Sequence, residues 1–383
     1  MFVLLQSEGR PMTRAELAQS TGLARSTIAA RVDVLLRLGL VTSLGDGTST
    51  GGRPPSLLAV NTTARLVAGI DLGATHARAA ITDLSGVPLA EQRADLDIAE
   101  GPEVVLAWVA QAIEDLLDTA GRSRAELVAV GIGLPGPVEH STGRAINPPI
   151  MPGWDRFDVP AHVRRSFDVP VLIDNDVNIM ALGEQRTQFP DVADLVLIKV
   201  STGIGAGIIA GGELQRGAQG TAGDVGHIRV GRSSDDLCRC GNIGCLEAVA
   251  AGPAIARVLR EHGTEVTTAS EVAEQVRAGD LTAIRAVRQA GRDIGGVVAM
   301  IVNFINPSVV VVGGSLAVAG EHLLAGIREE VYRRSLPLAT EHLQIVPSVT
   351  GEQSGVLGAA AMAISHALSP EAIERASLEL ANL

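Results

Sequence analysis

All three cysteines of the chain, Cys238, Cys240 and Cys245, fall within eight residues, and His227 stands shortly before them. One imidazole and three thiolates complete the tetrahedral nitrogen–sulfur set that Zn²⁺ prefers. Three inert buried cysteines would be the plain alternative, but nothing in that alternative calls for such spacing. With all four positions filled by protein, no site remains for a reactive water, so the ion is expected to be structural.

A second group of chemical residues is Asp174-Asn175-Asp176-Val177-Asn178, which follows an expected strand at Val171–Ile173 and precedes a helix containing Ala181 and Glu184. Carboxylates and amides at the carboxyl end of a strand are where α/β folds gather ligand-reading groups. Asp and Asn also favour helix N-caps, and both roles can hold together. Two glycine-rich turns complete the inventory, Asp71-Leu72-Gly73-Ala74-Thr75 and Ser201-Thr202-Gly203-Ile204-Gly205. Small residues there let backbone N–H groups approach phosphate, a Thr hydroxyl can donate to it, and an Asp can hold Mg²⁺ through water. Taken alone, such turns are commonly only turns.

The elements that must position these residues read as three units: 1–62, 63–190 and 191–383. In the first, Thr13 and Glu16 form a capping-box signature and Gly22 ends the helix they start. A second helix over Arg25 to Leu38 carries Ile28, Val32, Leu35 and Leu36 on one face, which is helix-turn-helix spacing. Strands near Val41 and over Leu57–Val60 enclose a loop, Gly45 to Gly52, that would be a wing. Met1 falls inside what should be an opening helix, so the natural start is expected upstream or those turns are missing. This head holds six arginines against four carboxylates, a net of +2 on a chain of net −12. A basic head on an acidic body confines any nucleic-acid contact to the head. Beyond it, strands and helices alternate in α/β order: Leu66–Ile70 and Ala77–Thr82, a helix over Glu103–Thr119, then Val128–Leu134, Leu195–Val200 and Gly205–Ile209. The two Gly-rich hairpins hint at an internal duplication and two similar lobes with a cleft between them. The longest apolar run, Val297 to Val312, is broken by Asn303, Asn306 and Pro307 and falls short of the ~20 residues of a membrane span. With no signal-peptide pattern either, a cytoplasmic protein with no membrane partner is expected.

The motif Cys238-Arg239-Cys240-Gly241-Asn242-Ile243-Gly244-Cys245-Leu246-Glu247 resembles that of the ROK family of repressors, open reading frames and kinases. The likeness runs from the head through Gly52-Arg53-Pro54 to the segment 351–363. It implies a two-lobed actin/hexokinase-like (ribonuclease H-like) α/β fold behind a winged helix-turn-helix, the final helix returning to the first lobe. The family's kinases phosphorylate a hexose with ATP and Mg²⁺; its repressors keep that fold and use the cleft as a sensor. Carried over by resemblance, Asp176 matches the general base, while Asn147, Asn175, Asp176, Asp224, His227 and Glu247 form the sugar wall. Asp71, Gly73, Thr75, Thr202 and Gly203 would meet ATP. Arg25, Ser26, Thr27 and Arg31 of the second helix would meet operator DNA, with Arg53 probing the minor groove from the wing.

Departures from the kinase pattern point away from an enzyme. Asp224 replaces the family's Glu, Ala74 replaces the second glycine of the first loop, His76 stands where Lys or Asn is common, and Ser201 and Ala206 replace glycines of the second. The reading is therefore a sugar-responsive transcriptional regulator, a repressor, acting as a homodimer or dimer of dimers. An ATP-dependent, glucokinase-like hexose kinase is the alternative.

Overall fold

The computed structural model describes residues 4–5, 8–46, 56–231 and 235–381. Arg53 and the tip of the expected wing lie outside the described residues.

In the head, β1 (Met12–Thr13) leads into α1 (Arg14–Thr21), then α2 (Arg25–Arg37), β2 (Val41–Asp46) and β3 (Ser56–Val60). The capping box is present: Glu16 N–H donates to Thr13 Oγ1 at 3.2 Å, and Thr13 N–H donates to Glu16 Oε2 at 2.7 Å. Gly22 closes α1 at φ 68°, a conformation glycine adopts without penalty. The sheet runs β1-β3-β2, and Leu17, Ile28, Val32, Leu35 and Leu58 are buried beneath it.

The body repeats one topology. The first lobe contains β4 (Leu66–Leu72), β5 (Ala77–Asp83), β6 (Pro88–Ala94), helix α3 (Pro102–Thr119), β7 (Leu127–Leu134), a small hairpin of β8 (Val138–Glu139) and β9 (Arg144–Ala145), α4 (Val159–Arg164), and β10 (Val171–Asn175). Its sheet order is β10-β7-β4-β5-β6: an antiparallel meander continued by two parallel strands. The chain then enters α5 (Asp176–Gln188) and the second lobe, where β11 (Leu195–Val200), β12 (Ile204–Ala210) and β13 (Glu213–Leu214) form the meander. Helices α6 (Leu246–Ala250), α7 (Gly252–Glu261), α8 (Ala269–Arg277) and α9 (Leu281–Ile305) precede β14 (Val309–Gly313); α10 (Glu321–Arg334) and α11 (Pro337–Thr340) precede β15 (Gln344–Pro347). The order β15-β14-β11-β12-β13 matches the first sheet strand for strand, which is the duplication hinted at by the two Gly-rich hairpins.

Helix α12 (Ser354–Ala367) returns from the second lobe to pack on β4, β7 and α5, and α13 (Pro370–Ala381) ends the described chain. The crossing of α5 and α12 is set by glycine. A Cβ on Gly183 would stand 1.9 Å from Ser354 O, and one on Gly358 would stand 1.6 Å from Ile179 O. Backbone meets backbone there, so no rotamer change can relieve a clash.

Two glycines test this with opposite signs. Gly183→Ala should lower the unfolding free energy by about 1–3 kcal/mol or more, because the added methyl meets a carbonyl. Gly296→Ala, in α9 with only the end of Arg334 at 3.6 Å, should be neutral or stabilising by up to about 1 kcal/mol. Urea denaturation of both variants checks the pair; equal effects would contradict the packing described.

Candidate functional site

Strand β10 delivers Asp174 and Asn175 to the cleft, and α5 opens on Asp176, so all three stand at the joint between lobes. Asn175 caps α5: its Oδ1 accepts from Val177 N–H at 2.9 Å while its Nδ2 donates to Gly136 O at 2.9 Å. One N–H and one lone pair of the amide remain for a ligand. Asp174 is 2% exposed and is held from three elements. Arg216 Nε donates to it at 2.6 Å, Asn178 Nδ2 at 2.7 Å, and His140 Nδ1 lies 3.6 Å away. Arg216 belongs to the second lobe, so the Asp174 pair ties the lobes together.

Asp176 is 5% exposed and pairs with Lys199 of β11. Burial by itself would push the Lys199 pKa down; the charge and hydrogen bond of Asp176, with the further charge of Asp71, outweigh it and raise the value. The lysine is therefore a fixed cation at neutral pH.

The first Gly-rich turn is covered from within. His76 O accepts from Gly73 N–H at 2.8 Å, and the His76 ring lies so close over Gly73 that a Cβ there would meet its Cε1 at 2.1 Å. Its Nε2 stands 3.9 Å from Asp71 Oδ2. An imidazole therefore stands where a side chain on residue 73 would point. Thr75 and Thr202 are exposed at their turns. At the second turn Glu247 Oε2 accepts from Ile204 N–H at 3.3 Å and lies 2.5 Å from where a Gly203 Cβ would be. Asn147 takes φ 46° and is exposed, its N–H donating to Asp155 Oδ1 at 2.8 Å. Among the described residues no hydrogen bond joins its side chain to the Asp176 group.

His227, Cys238, Cys240 and Cys245 offer four ligand atoms within 4.8 Å of one another. His227 Nδ1 to Cys238 Sγ is 3.5 Å and Cys240 Sγ to Cys245 Sγ is 3.7 Å. A tetrahedron with metal–sulfur bonds of about 2.3 Å has edges near these lengths, so the donor set fits a metal ion. Burial, followed by hydrogen bonding with Cys240 and Cys238, pushes the Cys245 thiol up to about 12. Three thiolates at this spacing need a cation to ionise together. With Nδ1 toward the thiols, His227 Nε2 faces Asp224 Oδ1 at 3.8 Å, so Asp224 stands directly behind the cluster.

The structure thus brings Asn175 and Asp176 together, Asp71 with Gly73, Glu247 with Gly203, and His227 with Asp224 and the cysteines. Lys199, Arg216 and His140 join this group without having stood out in the sequence, whereas Asp174 did as part of the 174–178 run. For Lys199 the signal was available: a lone cation inside Leu195-Val196-Leu197-Ile198-Lys199-Val200, an otherwise apolar strand. Arg216, in a turn after β13, carried none.

On the DNA side, Arg25, Ser26 and Arg31 are exposed on α2 and Thr27 is partly buried. Arg14 of α1 is paired with Asp33 at 3.2 Å, whereas no carboxylate pairs with Arg25 or Arg31 among the described residues.

Comparison with known proteins agrees with this arrangement. The ROK family model matches residues 67–366, and a winged helix-turn-helix DNA-binding model matches residues 3–42. The chain is 33% identical over 337 residues to the xylose repressor of Caldicellulosiruptor bescii, covering 84% of each chain. It is 31% identical to a glucokinase of Halalkalibacterium halodurans, covering 77% of this chain and 93% of that one. Among solved structures, a ROK family transcriptional regulator described as a homologue of the E. coli MLC protein superposes with a TM-score of 0.81 at 27% identity, covering 96% of this chain and 95% of that one. With a duplicated kinase-like body, a Cys/His cluster beside the cleft and a winged head in front, the chain belongs to the ROK family.

Proposed function

We propose that the protein is a sugar-responsive transcriptional repressor that binds operator DNA through α2 and the wing and a hexose or related sugar in the interlobe cleft. The observation that carries this reading is the His76 ring lying over Gly73. A kinase must bring phosphate oxygens against that backbone, because phosphoryl transfer depends almost wholly on positioning. Here an imidazole lies over that backbone, while Asn175 and Asp176, proposed to meet the sugar, are kept. Asp176, Asn175, Asp224, His227, Glu247 and Asn147 are the proposed sugar contacts, in a chain without appreciable ATP turnover. Arg25 and Arg31, which pair with no carboxylate among the described residues, are with Ser26 and Thr27 the proposed operator contacts of α2, and Arg53 is that of the wing. Two half-sites read by two heads would make the working unit a homodimer or a dimer of dimers in the cytoplasm.

A packed route favours coupling between the two sites. Asp176 begins α5, α5 crosses α12 at Gly183 and Gly358, and α12 shares one apolar cluster with the head. That cluster contains Ala360, Ala363 and Leu368 together with Leu17, Ile28, Val32 and Leu58. Closing the lobes on a sugar would shift α5 and, through it, the spacing of the heads.

The cluster of His227, Cys238, Cys240 and Cys245 is proposed to hold one structural zinc. Elemental analysis should find one zinc per chain, and Cys240→Ser should lose it along with thermal stability. Full-length protein that contains no zinc would refute the assignment.

Operator binding is tested by gel shift. Arg25→Ala should weaken it about tenfold and lessen its salt dependence, while sugar-induced thermal stabilisation stays intact. Asp224→Asn should do the reverse, keeping operator affinity and blunting the response to sugar. Sugar-dependent ADP release at ordinary kinase rates, lost in Asp176→Asn, would instead make the protein an enzyme.

A further inference from the structure

We infer that Lys199 is a built-in cation of the cleft, standing where a kinase would need a divalent metal and holding Asp176 as an ion-paired hydrogen-bond acceptor for sugar. This deepens the sensor reading and rests on it. Strand alternation places the lysine. Val196, Ile198 and Val200 point into the cluster under α7 to α9, whereas Leu195 and Leu197 point into the cluster against α5, which includes Val177 and Met180. Lys199 continues the second face. Its two partners across the sheet are Gly205 on β12 and Gly313 on β14, so neither carries a side chain of its own; Val177 lies over the first, and Met180 and Ser348 over the second.

A lysine buried between a sheet and a helix is tolerated only if its charge is answered. The answer lies at the first residue of α5, where Asp176 accepts from its ammonium, and the charge of Asp71 reaches it from the other lobe. Its side chain is 19% exposed and that of Asp176 is 7%. Asp71 is enclosed as well: His76 stands 3.9 Å away, and its carboxylate lies 2.2 Å from where a Cβ on Gly355 would be. These residues do not fit Mg²⁺. Asp176 is already paired with the ammonium and Asp71 feels its charge, so a divalent ion would have to enter against that positive charge.

The consequence for Asp176 follows from its partner. One carboxylate oxygen of Asp176 accepts from the ammonium, which leaves the other to meet a sugar hydroxyl. It remains a good acceptor, and the ammonium keeps donors for a ligand oxygen. Lys199 is thus a positioning and specificity-determining residue: it retains sugar recognition and removes the metal that phosphoryl transfer needs.

The test uses Mn²⁺ alone as the probe, on the zinc-loaded full chain, read by electron paramagnetic resonance. The wild-type protein should bind no Mn²⁺ in the cleft at millimolar concentration. Lys199→Met, which keeps the stem and removes the charge, should gain about tenfold or more in Mn²⁺ affinity, and adding Asp71→Asn should abolish that gain. Lys199→Thr, a β-branched strand former, serves as the second variant should the Met protein fail to fold. Wild-type protein that binds Mn²⁺ in an Asp71-dependent way would overturn the inference, and so would folded Lys199 variants that bind none. Neither readout involves sugar or DNA, so failure here is distinct from failure of the sensor reading, which is decided by gel shift.

Discussion

The backbone-to-backbone crossing of α5 and α12 is the constraint on which the rest of the molecule depends. Glycines at 183 and 358 bring the two helices to a distance that no Cβ could permit, and Gly207 of β12 lets the same α5 approach the second sheet, where a Cβ would meet Val177 O at 2.6 Å. One helix therefore touches the first lobe's returning helix and the second lobe's meander at once. Its first residue is Asp176. A ligand group placed there feels any relative motion of the lobes, because the helix that carries it is wedged between them.

Charge completes what packing begins. Asp174 and Asp176 come from the β10–α5 joint, and each is answered by a cation of the second lobe, Arg216 and Lys199 respectively. Buried charges of this kind are costly unless paired, so the pairs fix how the lobes sit while nothing larger lies between them. The same arithmetic separates sugar recognition from phosphoryl transfer. Hydroxyl recognition needs acceptors and donors in register; phosphoryl transfer needs a divalent ion and open backbone at Gly73. On the proposed reading Asn175 and Asp176 serve the first, whereas an imidazole lies over Gly73 and an ammonium answers Asp176.

Much of this was legible in the residues themselves. The capping box at Thr13 and Glu16, the helix stop at Gly22, the twin Gly-rich hairpins and the Cys/His cluster each follow from local chemistry, which a sequence displays directly. Asp174 and Asn175 were expected just past their strand, but they lie inside β10, because pairing with Gly133 and Leu134 carries the ladder two residues further. The pairings of Lys199 with Asp176 and of Arg216 with Asp174 span 23 and 42 residues and depend on how two lobes meet. Periodicity cannot report such contacts. The departure at His76 was visible as a residue type, yet its consequence, a ring over Gly73, depended on a side-chain orientation that only coordinates supply.

Linkage between sugar and operator is the central claim, and thermodynamics makes it reciprocal. The most direct measurement is calorimetric titration of the activating sugar into the full chain, once free and once saturated with operator. A sugar-sensing repressor built on α5 should bind the sugar more weakly on DNA, by the same factor that the sugar weakens operator binding. Equal sugar affinity in the two titrations would mean that cleft and head are uncoupled, and would contradict it.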